Sequence, residues 1–210
     1  MKHLSFAILA VLLLINIGCR TKTTETTETT ETTPTTPEPA KKAPAFTLAN
    51  YDGNKISLSD YKGKIVVLEW FNYECPFSKY HHETVNTMVQ LAEKYKDKNV
   101  VWLGINSTGH ATVEKNKEFA EQFKIPYPLL TDFDGTVGHL YDARTTPHMF
   151  IIDTKGILVY DGAIDNAPLG KTTNGIINYV DNALTELTSG KKITTAQTKP
   201  YGCTVKYKVN

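Results

Sequence analysis

Residues 65–78 read IVVLEWFNYECPFS, and this stretch decides the fold. The run 65–71 is almost wholly apolar, which is typical of a central strand that is buried on both faces. Pro76 is favoured in the first turn of a helix, because the N–H that proline lacks has no helical partner there. A buried strand that passes directly into a helix at Cys75 and Pro76 predicts an α/β protein.

Strand and helix patterns alternate along the rest of the sequence. A hairpin is predicted over residues 45–57, with its turn at Asp52-Gly53. Apolar positions at helical spacing predict one continuous helix over residues 76–96. Further predictions are strands at 100–105 and from 129, helices at 112–123, 135–141 and 174–187, and a hairpin of 148–152 with 157–160. This order predicts a mixed central sheet with helices on both faces and an N-terminal β-hairpin.

The chain has 210 residues and a net charge of +1, which suits one ordinary globular domain. The nearly balanced charge gives no reason to expect nucleic acid as a partner. The predicted domain spans residues 43–190, and a C-terminal tail of residues 191–210 carries Cys203.

Residues 1–19 are predicted to be an export signal. Lys2 supplies a positive start, and the apolar run that follows is shorter than the ~20 residues a membrane span needs. Its end, Ile17-Gly18-Cys19, resembles the bacterial lipoprotein signal, in which the cysteine is acylated and becomes the new N-terminus. The resemblance implies an extracytoplasmic protein that Cys19 anchors by lipid to a bacterial membrane, on the periplasmic side or at the cell surface.

Residues 20–42 are rich in threonine, glutamate and proline. Residues 21–39 contain no aliphatic or aromatic side chain, so burial cannot offset the entropy lost on ordering. We predict a disordered linker that tethers the domain.

Cys75 is the candidate nucleophile, because a helix N-terminus stabilises the reactive thiolate through its dipole and free N–H groups. Cys19, Cys75 and Cys203 are too few and too far apart for a disulfide framework. The sequence has no CxxC pair and no cysteine–histidine ladder, so neither a structural zinc site nor a cofactor is predicted.

Three stretches carry a family resemblance. Residues 66–78 (VVLEWFNYECPFS) resemble the active-site strand and turn of thioredoxin-like proteins, with Ser78 in place of the second cysteine of CxxC. Residues 44–64 and 127–153, followed by KGILVYDG, resemble the redoxin branch, the alkyl hydroperoxide reductase/thiol-specific antioxidant superfamily. The resemblance covers roughly residues 43–187. It implies a thioredoxin-like fold and a thiol-dependent oxidoreductase.

The resemblance also implies roles for particular residues. Glu69 corresponds to a buried carboxylate that carries protons to and from the active-site thiols, and a lone acid in an apolar strand should have a raised pKa. Thr146-Pro147 resembles the cis-proline loop, which lies against the reactive cysteine and can pair with an extended substrate. Pro76, Thr146 and Pro147 are therefore the expected substrate groove.

Cys203 is the candidate second thiol. A CxxS thiol can attack a disulfide but cannot release itself from the resulting mixed disulfide. Residues 200–207 (PYGCTVKY) are similar to a C-terminal signature of certain redoxin-domain proteins, and Gly202 would allow a tight turn. The hypothesis is that Cys203 folds back and forms a disulfide with Cys75; the alternative is a free or structural cysteine in a loose tail.

A thiol peroxidase is the first alternative function. Peroxiredoxins carry threonine or serine where this chain has Asn72, proline where it has Leu68, and arginine where it has Pro147. Arg144 is near that last position but out of register. These departures favour a thiol–disulfide oxidoreductase, whose expected partners are a protein or small-molecule disulfide or peroxide substrate and an unidentified thiol electron donor.

Two other classes stay open. Cys75 and His148 could bind copper(I), as in thioredoxin-fold assembly factors, although such proteins usually present two neighbouring cysteines. A redox-inactive binding module would keep the fold and its groove. His81 and His82, which follow Cys75 on the predicted helix, are expected to face the surface.

Overall fold

The structure is a computed structural model that describes residues 41–209. The predicted export signal (1–19) and all but the last two residues of the predicted linker (20–42) lie outside the described residues. Within the described part of the chain, no helix is both long and apolar enough to cross a membrane.

Residues 41–209 contain a seven-stranded sheet in the order β2-β1-β5-β4-β3-β7-β8 and a separate two-stranded pair, β6-β9. The strands are β1 Thr47–Asn50, β2 Lys55–Ser57, β3 Ile65–Trp70, β4 Val100–Asn106, β5 Leu129–Thr131, β6 Thr145–Thr146, β7 His148–Ile152, β8 Leu158–Gly162 and β9 Cys203–Thr204. Strand β3 runs parallel to β4 and antiparallel to β7, so the predicted mixed sheet is confirmed. The predicted hairpin is also present, because β1 pairs antiparallel with β2.

The helices are α1 Pro76–Lys79, α2 Thr87–Tyr95, α3 Val113–Gln122, α4 Thr136–Leu140 and α5 Tyr179–Thr188. A π-helical turn, Tyr80–Thr84, follows α1, and short 3-10 turns occupy Leu58–Tyr61 and Pro168–Gly170. Helix α5 begins later than the predicted residue 174. It begins where the Asn178 side chain accepts a hydrogen bond from the N–H of Asp181 at 2.8 Å and so caps the helix.

Strand β3 separates two hydrophobic cores. Its alternate side chains point to opposite faces, and every residue of the strand is buried. One face packs against side chains of α2, α3 and α5, among them Met88, Phe119 and Val180. The other face packs against the region of α4, including Val137 and Tyr141. Helices therefore cover both faces of the sheet, as predicted.

The prediction of one continuous helix over 76–96 is wrong. Helix α1 passes into the π-helical turn, and Asn86 then adopts a left-handed conformation (φ 51°) before α2 begins. Asparagine tolerates this conformation better than most residues. The turn brings His82 inward, where its Nε2 lies 2.7 Å from Oε1 of Glu69 on β3. The break between α1 and α2 is therefore accompanied by a tertiary contact between His82 and Glu69.

The C-terminal tail packs on the domain rather than extending from it. The N–H of Val205 donates to the carbonyl of Arg144 at 3.1 Å, and the N–H of Gly109 donates to the carbonyl of Lys206 at 2.8 Å. Between Tyr201 and Val205 the tail forms β9, which pairs antiparallel with β6. The tail thus lies across the loops at the end of the sheet where β3 leads into Cys75.

Candidate active site

Cys75 lies at the junction that the sequence predicts. It is the N-cap of α1, Pro76 follows at the first helical position, and the cysteine is only 2% exposed. Its N–H donates to the carbonyl of Asn72 at 3.0 Å, and its own carbonyl accepts from the N–H of Lys79 at 2.9 Å. The turn after β3 is therefore held by backbone hydrogen bonds on both sides of the thiol.

The loop that contains Thr146 and Pro147 lies directly against Cys75. The peptide bond between these two residues is cis. Cys75 Sγ lies 2.9 Å from the carbonyl oxygen of Thr146, to which the thiol donates. The hydroxyl of Thr146 is buried without a conventional hydrogen-bond partner, and it lies where it can stabilise a Cys75 thiolate. The expected contact between this loop and the cysteine is thus present.

Cys203 is the second thiol at this site. In the β6–β9 pair, Cys203 is directly opposite Thr146, whose carbonyl oxygen accepts from the Cys75 thiol, so the two cysteines are neighbours. Both thiols are free. Gly202 permits the approach: its φ is +134°, and a Cβ there would clash with the carbonyl oxygen of Thr146. The tail is therefore folded back onto Cys75, with the two thiols together and unlinked.

The two thiols differ in acidity. Burial alone would raise the pKa of Cys75, but hydrogen bonds from the Cys203 thiol, from Thr146 and from the backbone N–H groups of Ser78 and Cys203 together lower it below its ordinary value. Burial, together with the hydrogen bond and the charge of Cys75, raises the pKa of Cys203 to about 11. Cys75 is therefore the more acidic thiol of the pair and Cys203 the less acidic one.

Ser78 occupies the place of the second cysteine in a CxxC motif, and it is fully buried. Its hydroxyl oxygen accepts a weak hydrogen bond from the N–H of Asn72 at 3.4 Å. Its backbone N–H helps to lower the pKa of the Cys75 thiol. Ser78 therefore contributes to the acidity of Cys75 through its main chain and supports the turn through its side chain.

Glu69 is buried as expected, but the predicted rise in its pKa is wrong. Burial raises the pKa, yet the charge and hydrogen bond of His82, with hydrogen bonds from Tyr127 and Trp102, bring it below its ordinary value. The donor–acceptor distances are 2.7 Å from His82, 2.9 Å from Tyr127 and 3.1 Å from Trp102. The prediction failed because these donors come from parts of the chain far from Glu69 in sequence. Glu69 is thus a carboxylate held by three donors, and none of them is Cys75.

His81 and His82 are both buried, so their predicted surface position is wrong. His81 Nε2 lies 2.8 Å from the hydroxyl of Tyr201, and that hydroxyl donates to Asp165 at 2.5 Å. This network was missed from the sequence, because its members come from three distant segments. The adjacency of Tyr201 to Gly202-Cys203 was the one signal that pointed to it.

His148 follows Pro147, but both of its ring nitrogens have partners. Nδ1 accepts from the N–H of Arg144 at 3.2 Å, and Nε2 lies 2.7 Å from Oδ1 of Asp161. A copper ion shared by Cys75 and His148 would have to displace one of these partners. Residues 41–209 contain no group of three or more histidine, cysteine or acidic side chains that could hold a metal ion.

A mixed sheet covered on both faces, a cysteine at a strand–helix junction and a cis-proline loop beside it define a thiol oxidoreductase of the thioredoxin-like fold. The chain belongs to the AhpC/TSA family, whose sequence profile matches residues 39–161. The family resemblance and the thioredoxin-like fold expected from the sequence are thereby confirmed.

The similarity to individual relatives supports this family assignment. The thiol-disulfide oxidoreductase ResA of Bacillus thuringiensis subsp. konkukian is 30% identical over 124 residues, which span 59% of this chain and 69% of the relative. The thioredoxin-like protein YneN of Bacillus subtilis is 31% identical over 122 residues, with 58% and 69% covered. Among solved structures, an uncharacterized conserved protein of Geobacillus kaustophilus has a TM-score of 0.74 and 30% identity, and the match covers 81% of this chain and 93% of that one. The chain is therefore a redoxin-type oxidoreductase.

Proposed function

We propose that this chain is an extracytoplasmic thiol–disulfide oxidoreductase in which Cys75 is the nucleophile and Cys203 the resolving thiol. One observation carries the proposal: Cys203 pairs opposite Thr146, which contacts Cys75, in a site where Ser78 stands in place of a second cysteine. A lone thiol would stop at a mixed disulfide, whereas a neighbouring thiol completes the exchange.

The reaction has two steps. The Cys75 thiolate attacks one sulfur of a substrate disulfide, forms a mixed disulfide and expels the other sulfur, which takes up a proton and leaves as a thiol. Cys203 then loses its proton and attacks Cys75 Sγ, which forms the Cys75–Cys203 disulfide and releases the second substrate thiol. Two electrons pass from the protein to the substrate. A thiol electron donor must return them before the next cycle.

The pKa shifts of the two cysteines suit an order in which Cys75 attacks first and Cys203 second. While Cys75 is a thiolate, its charge and hydrogen bond help to hold the pKa of Cys203 at about 11. Once Cys75 has become a neutral mixed disulfide, both influences on Cys203 disappear. Cys203 therefore becomes a better nucleophile at the step that requires it.

The neighbouring residues have distinct parts in this proposal. Pro76 begins the helix that follows the thiol, and Thr146 with Pro147 forms the wall of the substrate groove. Glu69 supports the site as an ionised positioning residue, because it fixes His82 and with it the bend after α1. The hydrogen bonds around Glu69 support the role of an ionised positioning residue better than the role of a neutral general acid.

Trapping the mixed disulfide tests the mechanism. Cys203→Ser treated with a small disulfide should accumulate one adduct on Cys75, seen by mass spectrometry, whereas the wild-type protein should end as the Cys75–Cys203 disulfide. Cys75→Ser should form neither product. Rapid release of the adduct by Cys203→Ser, or an oxidised wild type in which Cys203 is free, would contradict the proposed role of Cys203.

Peroxide is the second candidate oxidant, because the chain is also similar to a peroxiredoxin, peroxiredoxin Q of Triticum aestivum, at 29% identity over 130 residues. The Cys75 thiolate and a proton would convert ROOH to ROH, leaving a sulfenic acid that condenses with Cys203 and releases water. Arg144 gives little support, since its Nε lies 3.7 Å from Asp142 and its side chain is half exposed. Peroxide consumption that depends on Cys75 and is faster than disulfide exchange would favour this function.

The location belongs to the proposal as well. Residues 1–19 resemble a lipoprotein signal, so we propose that Cys19 carries a lipid that holds the domain at a bacterial membrane. Incorporation of a labelled fatty acid into the full chain, and its loss in Cys19→Ala, would support the anchor. Equal labelling of the two proteins would oppose it.

A further inference from the structure

The tail strand β9 lies where an extended polypeptide would pair with the active-site loop. An unpaired strand edge is a template for another chain. Without β9, the edge of β6 would be unpaired, and Thr146 of β6 contacts Cys75. A polypeptide bound there would place one residue opposite Thr146, directly at the thiol. In this structure Cys203 occupies that place.

The tail also shields the thiol from large molecules. Cys75 is 2% exposed, and the Gly202 backbone approaches Thr146 so closely that a Cβ would clash with its carbonyl oxygen. A small oxidant needs to reach only the sulfur. A polypeptide needs β6 itself, so the tail must leave.

Tyr201 holds the tail at its entry to β9. Its hydroxyl donates to Asp165 Oδ1 at 2.5 Å and accepts from His81 Nε2 at 2.8 Å, and its ring lies 5.9 Å from that of Phe77. We call Tyr201, His81 and Asp165 the Tyr201 latch. Because the latch joins the tail to the segment after Cys75, it holds Cys203 at the thiol.

The hydrogen bonds of the latch are mutually consistent. Burial lowers the pKa of His81, which favours the neutral imidazole. Nε2 then carries the proton and donates to Tyr201, while Nδ1 accepts from the hydroxyl of Thr87 at 3.3 Å. Each latch atom thus has a partner of the matching kind, so the contact is specific rather than incidental.

We propose that the Tyr201 latch keeps the C-terminal strand in the place of an extended substrate, so that the reduced protein reacts with low-molecular-weight disulfides in preference to polypeptide disulfides. This inference rests on the proposed function of Cys75. It makes Tyr201 and Gly202 determinants of specificity that act through the position of the tail.

The experiment measures the attack of Cys75 separately from resolution, in the full chain carrying Cys203→Ser. One reagent is 5,5′-dithiobis(2-nitrobenzoate). The other is a short extended peptide whose central cysteine carries the same thionitrobenzoate leaving group. Tyr201→Phe removes the hydroxyl and keeps the ring, whereas Gly202→Ala pushes the tail from Thr146 by steric clash. Tyr141→Phe is the matched control, because it loses a phenol hydrogen bond to the carbonyl of Pro44 at 2.7 Å and leaves the Tyr201 latch intact.

We expect Tyr201→Phe to raise the rate with the peptide by about tenfold, since it loses two hydrogen bonds, and to change the rate with the small disulfide by less than about twofold. Gly202→Ala should raise the peptide rate as well, and Tyr141→Phe should change neither rate. A peptide rate equal to the small-disulfide rate in the parent, or an unchanged ratio in both tail variants, overturns the inference. Failure of Cys75 to react with either reagent would instead overturn the proposed function.

Discussion

Cys203 lies opposite Thr146 in the β6–β9 pair, and the carbonyl oxygen of Thr146 is 2.9 Å from Cys75 Sγ. One residue of the cis-proline loop thus contacts both thiols, one through its backbone pairing and the other through its carbonyl oxygen. The position of the tail and the environment of Cys75 are therefore linked. The expectations below follow from that link and from the buried groups around it.

Removing the Cys203 thiol should make Cys75 less acidic. Cys203→Ala loses a side-chain hydrogen bond that stabilises the Cys75 thiolate, so we expect the pKa of Cys75 to rise. Cys203→Ser keeps a donor and should give a smaller rise. The measurement is the pH dependence of iodoacetamide alkylation, followed on the peptide that contains Cys75. A midpoint in Cys203→Ala at or below that of the wild type would contradict the assignment.

Thr146→Val should change the reactivity of Cys75 without lowering the free energy of unfolding. The Thr146 hydroxyl is buried without a conventional partner, so the isosteric valine should leave the free energy of unfolding unchanged or raise it. The same change should raise the pKa of Cys75, because the thiolate loses a donor. Alkylation profiles and urea unfolding measure the two effects.

Ser78→Ala is the control for this substitution. Ser78 stabilises the thiolate through its backbone N–H, which alanine retains, so the pKa of Cys75 should stay at its wild-type value. A large shift in Ser78→Ala would mean that the serine hydroxyl, not the main chain, acts on the thiol.

Glu69→Gln should destabilise the protein by about 3 kcal/mol at neutral pH, because it breaks a buried pair with His82. The folded-state pKa of Glu69 lies below its unfolded value. Its contribution is therefore complete above the unfolded value of about 4.3 and is lost as the pH falls through the folded value. Urea unfolding of both proteins at neutral and strongly acidic pH measures the difference, which should shrink in acid.

The control for Glu69→Gln is Glu93→Gln. Glu93 pairs with Lys96 at 2.7 Å, but both side chains are largely exposed, so its replacement should change stability little at either pH. A difference between Glu69→Gln and the wild type that grows in acid would show that Glu69 has a raised pKa after all.

Asn86 offers a test of the break between α1 and α2. Its φ of 51° is strained for alanine and not for glycine. Asn86→Gly should therefore be more stable than Asn86→Ala by about 1 kcal/mol, which reverses the usual order of these residues in helices. Thermal and urea unfolding of the two variants measure it. The usual order, alanine above glycine, would indicate that the helix is continuous at this position.

Local sequence patterns were sufficient to predict the centre of the fold. The apolar run of β3, the proline after Cys75 and the turn at Gly53 each have a physical preference that neighbouring residues reveal. These features predicted the buried strand, the position of Cys75 at the strand–helix junction and the N-terminal hairpin.

Long-range partners account for what local pattern missed. The depressed pKa of Glu69 depends on His82, Trp102 and Tyr127, and the break in the helix at Asn86 accompanies the inward turn of His82. Strand β9 has only two residues, too few for an alternating pattern, so the return of the tail was accessible only through the resemblance of residues 200–207.

The alternation of β3 and β4 has a practical consequence for spectroscopy. The chain has two tryptophans, and the sheet separates them. Trp102 lies in the core beneath α2 and donates to Glu69 at 3.1 Å, while Trp70 lies in the opposite core together with Val205 of the tail. Intrinsic fluorescence of Trp102→Phe therefore reports on the core that contains Val205, and that of Trp70→Phe reports on the core around the buried Glu69. The protein thus contains one optical probe for each side of its sheet.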